Sequence, residues 1–285
     1  MKRLLSLLLA LTLLSGCGSA AWETEPTFVH ITVETLAENR TFTGFTAGPA
    51  GDDSSARQLV FSALEQYPPG FADQWGEVQI LLCRDLTGTG AFEGDRYAGF
   101  TQRTEDGWLM VLDADRCDTG TVHHEIGHIL DGILTDAGVL TEAEWMGFCP
   151  GEFSYGTGNF SDYPDFFADA YAMTNIKEDR AGPFETAMLY GPGVYADRPA
   201  LWLKLECFSR AIRAHFNTEG WPMKTAGEMA HKKQGVPLLC STPFQNVENP
   251  HLVTPYVKFA AHGRRHFTYK KEGHPFGCPS FFWSG

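Results

Sequence analysis

The sequence lacks several features that define large classes of protein. It contains no glycine-rich phosphate-binding loop and no internal repeat, which excludes P-loop nucleotide sites and solenoid architectures. Basic residues are few, with 22 Lys and Arg against 35 Asp and Glu, and a net charge of −13 argues against nucleic-acid binding. Beyond the first residues, no apolar run is long enough to cross a membrane. An acidic chain of 285 residues remains, enough for one main domain with either an appendage or a small second domain.

The N-terminal segment has the pattern of an export signal. A short basic opening precedes an apolar run at 4–14, which is too short for a permanent membrane span. The following Leu14-Ser15-Gly16-Cys17 resembles the lipobox of bacterial lipoproteins, and this resemblance implies cleavage before Cys17 and lipidation of its thiol. We therefore predict a signal peptide at 1–16, a tether at 17–26 and an extracytoplasmic protein anchored by lipid to the bacterial cell membrane. The alternative is an ordinary secreted protein.

The most informative motif is His124-Glu125-x-x-His128. Residues four apart on a helix lie on the same face, so the two imidazoles can bind one Zn²⁺ and the glutamate can act as a base beside it. The surroundings favour a helix, because Asp118 or Thr119 can cap its start and apolar residues recur at core-facing spacing. These residues are Val122, Ile126, Ile129, Leu130 and Ile133.

Two neighbours of the motif have structural explanations. Gly127 lowers helix propensity, so we expect a close packing contact at that position. His123 lies about 100° around the helix from His124. We interpret His123 as a packed or supporting histidine rather than as a metal ligand.

Hydrophobic periodicity predicts an α+β fold. The motif helix directly follows a strand, an order typical of zincin proteases, in which a small twisted mixed sheet lies over the active-site helix and the C-terminal half is helical. We expect this zincin-like domain to span 27–217. The segment 95–101 has the mixed polarity of a sheet edge, which either pairs with a peptide substrate or has no ligand. Predicted strands are 27–33, 77–82, 95–101 and 107–112, and further predicted helices are 54–66 and 196–216.

Two histidines and a water molecule leave tetrahedral zinc one protein ligand short. A helix beginning at Pro164, with Asp162 as its cap, would place Asp165 and Asp169 on one face. One carboxylate could bind zinc, and the other could accept the free N–H of a zinc-bound imidazole. The alternative is that both are solvated acids in the first turns of a helix.

These segments resemble the anthrax lethal factor-like metallopeptidases, which include the Pro-Pro endopeptidases. The resemblance is carried by the motif helix, by Tyr155-Gly156, and by the segment Asp165-Phe166-Phe167-Ala168-Asp169-Ala170-Tyr171. It implies that Asp165 is the third zinc ligand, that Asp169 supports a zinc-bound histidine, and that the Tyr155 hydroxyl stabilises the oxyanion.

Two departures from the family pattern leave alternatives open. Both family glutamates are aspartates here, so the second helix would have to lie closer to the metal. The spacing after Tyr155 is longer than expected, which makes Tyr163 a rival oxyanion donor and Asp162 a rival ligand.

Cysteine usage and charge divide the rest of the chain. Six cysteines besides Cys17 predict disulfides in an oxidising compartment, with Cys83–Cys117 as the first candidate pair and Cys240–Cys278 as a possible second. From Asn217 onwards the chain holds eight Lys and Arg against four Glu. We predict a basic, loosely structured tail at 218–285.

These observations together predict a lipid-anchored zinc endopeptidase acting on extracytoplasmic peptides or proteins. Zn²⁺ would be held by His124, His128 and Asp165, with Glu125 as the base. The alternative from another class is a non-catalytic lipid-anchored surface protein that uses the same fold for binding, and a weaker one is a zinc hydrolase of other substrates.

Overall fold

The computed structural model describes residues 28–90 and 93–220. The predicted signal peptide, the tether with Cys17, and all but three residues of the predicted tail lie outside the described residues, as does the Cys240–Cys278 pair. Within the described residues, no helix is both long enough and apolar enough to cross a membrane.

The described chain is α+β, as predicted, and is built on one mixed six-stranded sheet. The strands run in the order β2-β3-β4-β6-β5, and β1 also pairs with β4. The β1–β4 and β4–β6 pairs are parallel, whereas the other neighbours are antiparallel. The strands are β1 (Ile31–Thr35), β2 (Arg40–Phe42), β3 (Phe45–Pro49), β4 (Val78–Gly88), β5 (Gly99–Arg103) and β6 (Trp108–Asp113).

Strand β6 shows why the central strands are apolar on both faces. Its six residues are all buried, with Trp108, Met110 and Leu112 on the helix-covered face and Leu109 and Val111 in the opposite core. Alternate residues of a strand point to opposite faces, so a strand covered on both sides needs a continuous apolar run. Strand β5 has β6 as its only strand partner in the described chain, and the predicted edge strand is thus confirmed, with its bounds moved toward the C-terminus.

Five α-helices pack around this sheet in the described residues. They are α1 (Ser54–Leu64), α2 (Thr119–Asp136), α3 (Glu142–Met146), α4 (Ile176–Tyr190) and α5 (Pro199–His215).

Helix α2 carries the histidine motif and begins as predicted. Asp118 Oδ1 accepts a hydrogen bond from the Thr121 amide at 2.8 Å, and the Thr121 hydroxyl oxygen accepts one from the Asp118 amide, which forms a capping box. Four residues of the predicted stripe, Val122, Ile126, Ile129 and Leu130, are fully buried against the sheet and neighbouring helices, and Ile133 is partly buried. His123 is also buried, and its Nδ1 atom lies 2.9 Å from the Tyr67 hydroxyl, consistent with a packed histidine.

The close packing contact predicted at Gly127 is present, and it lies between α2 and α4. A Cβ atom at Gly127 would lie 3.2 Å from Cα of Ala181, 3.3 Å from Cβ of Ala181 and 3.3 Å from Cδ1 of Phe184. The absence of a side chain therefore lets the two helices approach. Glycine costs about 1 kcal/mol relative to alanine in a helix interior, and this contact offsets that cost.

The helix predicted to begin at Pro164 is absent, and this prediction was wrong. Residues 164–170 form turns and bends, followed by a short 3₁₀ segment at Tyr171–Met173. In a helix, the main-chain carbonyls of this segment would accept hydrogen bonds from amides of the same helix. Here they accept hydrogen bonds from cationic side chains: Arg198 donates to Pro164 and Phe167, and Lys204 donates to Phe166. The helix in this region is α4, which begins later, after Asn175.

The four cysteines of the described residues, Cys83, Cys117, Cys149 and Cys207, are free thiols. The predicted Cys83–Cys117 disulfide is therefore not formed in this structure. Cys83 is buried at the end of the β4–β6 pairing and donates to the Leu112 carbonyl at 3.4 Å. Burial and the nearby Asp113 raise the pKa of Cys83 to about 12 and that of Cys117 to about 11.

We expect Gly127→Ala to lower the free energy of unfolding by about 1–3 kcal/mol, because the added methyl group overpacks the α2–α4 contact. Gly182→Ala is the matched control within α4, since its Cβ would meet only Cβ of Ala168 at an ordinary 3.6 Å. Urea unfolding of both variants measures the difference. Equal stability of the two would contradict a close contact at Gly127.

Candidate metal centre

The two histidines of the motif face the same side of α2. The ring centroids of His124 and His128 lie 4.8 Å apart with an interplanar angle of 86°, and both side chains are largely buried. This is the arrangement that their i, i+4 spacing predicts.

Helix α4 brings the third candidate ligand, Glu178, to the histidine pair. Its Oε2 atom lies 2.9 Å from His124 Nε2 and 3.5 Å from His128 Nε2. Ligands about 2.05 Å from a tetrahedral zinc ion are about 3.3 Å apart, so the three atoms fit a single ion. Within the described chain, this is the one group of three His, Cys, Asp or Glu residues close enough to hold a metal ion.

The start of α4 determines where Glu178 points. Asn175 Oδ1 accepts hydrogen bonds from the amides of Lys177 at 2.9 Å and Glu178 at 3.2 Å, so Glu178 lies in the capped first turn. Although Glu178 carries a charge, it is only 9% exposed. A buried carboxylate that faces two imidazoles is a suitable metal ligand.

The structure places Glu178, and not the predicted third ligand Asp165, beside the histidine pair. Asp165 is exposed and lies outside the ligand group, and the rival Asp162 is also exposed, in a short 3₁₀ segment. Asp169, expected to support a histidine, instead accepts a hydrogen bond from the Ala172 amide at 2.9 Å. The i, i+4 argument failed for these acids because the chain there is not helical.

Glu185 holds the position that was predicted for Asp169. Its Oε2 atom lies 3.0 Å from His124 Nδ1, on the side of the imidazole opposite Glu178. A carboxylate there fixes the tautomer of the ring so that Nε2 is free to bind a metal. Glu178 and Glu185 are seven residues apart, which is two helical turns, and the capping Asn175 ahead of them was the signal that could have revealed this helix.

Glu125 has the environment of a buried base. It is 4% exposed, and its Oε2 atom makes no hydrogen bond with the described residues. Burial raises the pKa of its carboxyl group, while His128 and His124 act in the opposite direction. Strand β5 lies against it, since a Cβ atom at Gly99 would be 3.3 Å from Cγ of Glu125.

The electrostatics of the ligand group favour a cation. Burial disfavours the charged form of His124, but the hydrogen bonds to Glu178 and Glu185 outweigh it and raise the pKa of the ring. Burial likewise opposes the charge of Glu178, yet His128 and His124 hold the pKa of this carboxylate well below its ordinary value. A bound metal ion would supply the positive charge that these carboxylates otherwise draw from protonated imidazole.

The three tyrosines near the site have different surroundings. The Tyr155 hydroxyl donates to Asp179 Oδ2 at 2.7 Å, so the predicted oxyanion donor is hydrogen-bonded elsewhere in this structure. Tyr163 packs against Phe153 and Phe167. The ring of Tyr171 lies 6.2 Å from that of His124, which places this tyrosine beside the ligand group.

The site thus belongs to the class of candidate metal centres built from two histidines, one glutamate and a neighbouring buried carboxylate. No family model, curated protein or solved structure matches the chain. The resemblance to anthrax lethal factor-like metallopeptidases therefore stays a prediction from the motifs alone.

We expect Glu178→Gln to weaken zinc binding by at least about 100-fold, because loss of a ligand should exceed the 10–100-fold effect of losing a supporting residue. Competition with a chromophoric chelator measures the affinity. Asp165→Asn is the matched control and should bind zinc as the unaltered protein does. The assignment of Glu178 would be wrong if the Asp165 variant alone lost zinc.

Proposed function

We propose that this chain is a zinc-dependent endopeptidase with a zincin-like catalytic domain. The observation that carries the proposal is the convergence of His124 Nε2, His128 Nε2 and Glu178 Oε2 next to the buried Glu125, whose Oε2 atom has no hydrogen-bond partner among the described residues. Two imidazoles and a carboxylate are a zinc ligand set that leaves a fourth position for reactants. A purely structural metal site has no use for a buried base beside that position.

The residues of the chain divide the chemistry between them. A bound zinc ion would lower the pKa of water and polarise the scissile carbonyl group. Glu125 takes the proton of the attacking water and passes it to the leaving amine. Glu185 holds the ring of His124 in the tautomer that leaves Nε2 for the metal.

Tyr171 is our candidate for the oxyanion donor, in place of Tyr155 or Tyr163. Its ring centroid lies 6.2 Å from that of His124. A hydroxyl group that meets the developing negative charge only in the transition state lowers the barrier without tightening substrate binding.

The edge of β5 that has no strand partner in the described part of the chain supports a protein or peptide as the substrate. This strand lies against α2 at the catalytic residue, where the Thr101 hydroxyl donates to the main-chain carbonyl of Glu125 at 3.4 Å. An extended peptide can add to such an edge through main-chain hydrogen bonds, which would carry its backbone past the ligand group.

The proposed location follows from the sequence. The lipobox-like segment ending at Cys17 supports a lipid-anchored protein outside the cytoplasm, and peptides or proteins of that compartment are the proposed substrates.

We expect Glu125→Gln to retain one zinc ion per chain and to lower the rate of peptide cleavage by about 10³-fold, because the general base is lost while the ligands remain. Zinc content by atomic absorption and turnover of a casein and proline-rich peptide panel measure the two effects. Glu152→Gln, which changes an exposed acid, is the control and should cleave normally.

The same experiment separates the proposal from a non-catalytic binding protein. Zinc binding without cleavage of any substrate by the unaltered protein would favour the binding protein, and undiminished cleavage by the Glu125 variant would remove the assigned base.

We expect Tyr171→Phe to lower kcat by about 10²-fold with KM nearly unchanged, as for loss of one oxyanion donor. Steady-state kinetics on a cleaved peptide measure the two constants. Tyr163→Phe serves as the control, and a larger loss of kcat in that variant would reverse the assignment.

A further inference from the structure

A buried ion pair next to Glu178 joins α4 to α5. Lys204 and Asp179 are both fully buried, and Lys204 Nζ lies 2.9 Å from Oδ1 and 2.7 Å from Oδ2 of Asp179. The same ammonium group donates to the Phe166 carbonyl at 2.8 Å and lies 4.0 Å from the centroid of the Phe167 ring. Lys204 thus also holds the segment that was predicted to carry the third ligand.

Donors from three separate parts of the chain surround the Asp179 carboxylate. Besides Lys204, the Trp145 indole N–H donates to Oδ2 at 2.8 Å and the Tyr155 hydroxyl donates to Oδ2 at 2.7 Å. Trp145 belongs to α3, Tyr155 to the following loop and Lys204 to α5. A carboxylate held from three directions cannot move without breaking several buried hydrogen bonds.

Asp179 directly follows Glu178 in the first turn of α4. Successive helical residues point about 100° apart, so fixing the direction of Asp179 also fixes the direction in which Glu178 leaves the helix. Arg180, the next residue, is tied in the same way to α2, because it donates to Asp131 Oδ1 at 2.6 Å. Glu178, Asp179 and Arg180 are therefore three consecutive buried charged residues. They contact the histidine pair, α5 and α2, respectively.

We infer that Lys204 and Asp179 are positioning residues that hold Glu178 in the geometry for metal binding. This inference rests on the proposed zinc centre. Replacing a buried ion pair by uncharged residues of similar size often leaves stability unchanged or raised, so a pair that served stability alone would be replaceable without functional cost. A pair that fixes the rotation of α4 about its axis cannot be replaced without functional cost. The reason is that a metal ligand must lie within a fraction of an ångström of its position.

The test is the double variant Asp179→Asn with Lys204→Met, which removes both charges and leaves no unpaired buried ion. We expect it to remain folded but to bind zinc at least about 10-fold more weakly, the range seen when groups that orient ligands are lost. The visible spectrum of the Co²⁺-substituted protein should also change, because its bands report ligand geometry. Glu144→Gln with Arg210→Gln, which removes an exposed pair that also involves α5, is the control and should alter neither property.

The outcomes separate this inference from the proposed function. Unchanged zinc affinity and an unchanged cobalt spectrum in a folded double variant would overturn the positioning role while leaving the zinc centre intact. Absence of zinc binding by the unaltered protein would overturn the zinc centre itself, and the inference with it. If the double variant does not fold, Tyr155→Phe decides: it removes one donor to Asp179 without a change of charge, and unchanged zinc affinity and cobalt spectrum would overturn the inference.

Discussion

The close approach of α2 and α4 is the constraint on which the candidate site depends. Gly127 of α2 lies against Ala181 and Phe184 of α4, and this contact brings Glu178 to within hydrogen-bonding distance of His124. A methyl group at Gly127 would push the neighbouring atoms of α4 away by a few tenths of an ångström, whereas metal–ligand distances tolerate about 0.2 Å. Gly127, the least bulky residue of the motif, therefore sets the distance between the histidine pair and Glu178.

The sheet and α2 supply the fixed half of the site. Strand β6 is buried on both faces and leads into the capping box that starts α2, so the register of the histidines is anchored in the main core. Helices α4 and α5 supply the other half. They are joined by the Lys204–Asp179 pair, and Arg180 ties α4 back to Asp131 on α2.

The outcome of each prediction depended on whether the structure of that segment is set by its own sequence pattern or by contacts with distant residues. The four predicted strands, α1, α2 and α5 follow from periodicity within each segment, and all are present with ends shifted by up to six residues, whereas β2 and β3 were not predicted. Helix α4 was missed because Glu178, Asp179 and Arg180 are charged yet buried, which removes the amphipathic contrast, and because Pro183 lies within it. The helix at Pro164 was predicted from good local signals, but Arg198 and Lys204 bind its carbonyls. That competition comes from residues more than thirty positions away.

The sequence by itself determined the pairing of His124 with His128, the neighbouring Glu125 and the helix that bears them, since i, i+4 spacing and a cap are properties of a single turn of chain. It also determined the α+β class, because strand and helix periods are local. Only the tertiary structure decided which acid lies beside the histidine pair. Glu178, Asp165 and Asp169 are chemically similar candidates, and the choice among them depends on how α4 packs against α2, a contact between residues about fifty positions apart.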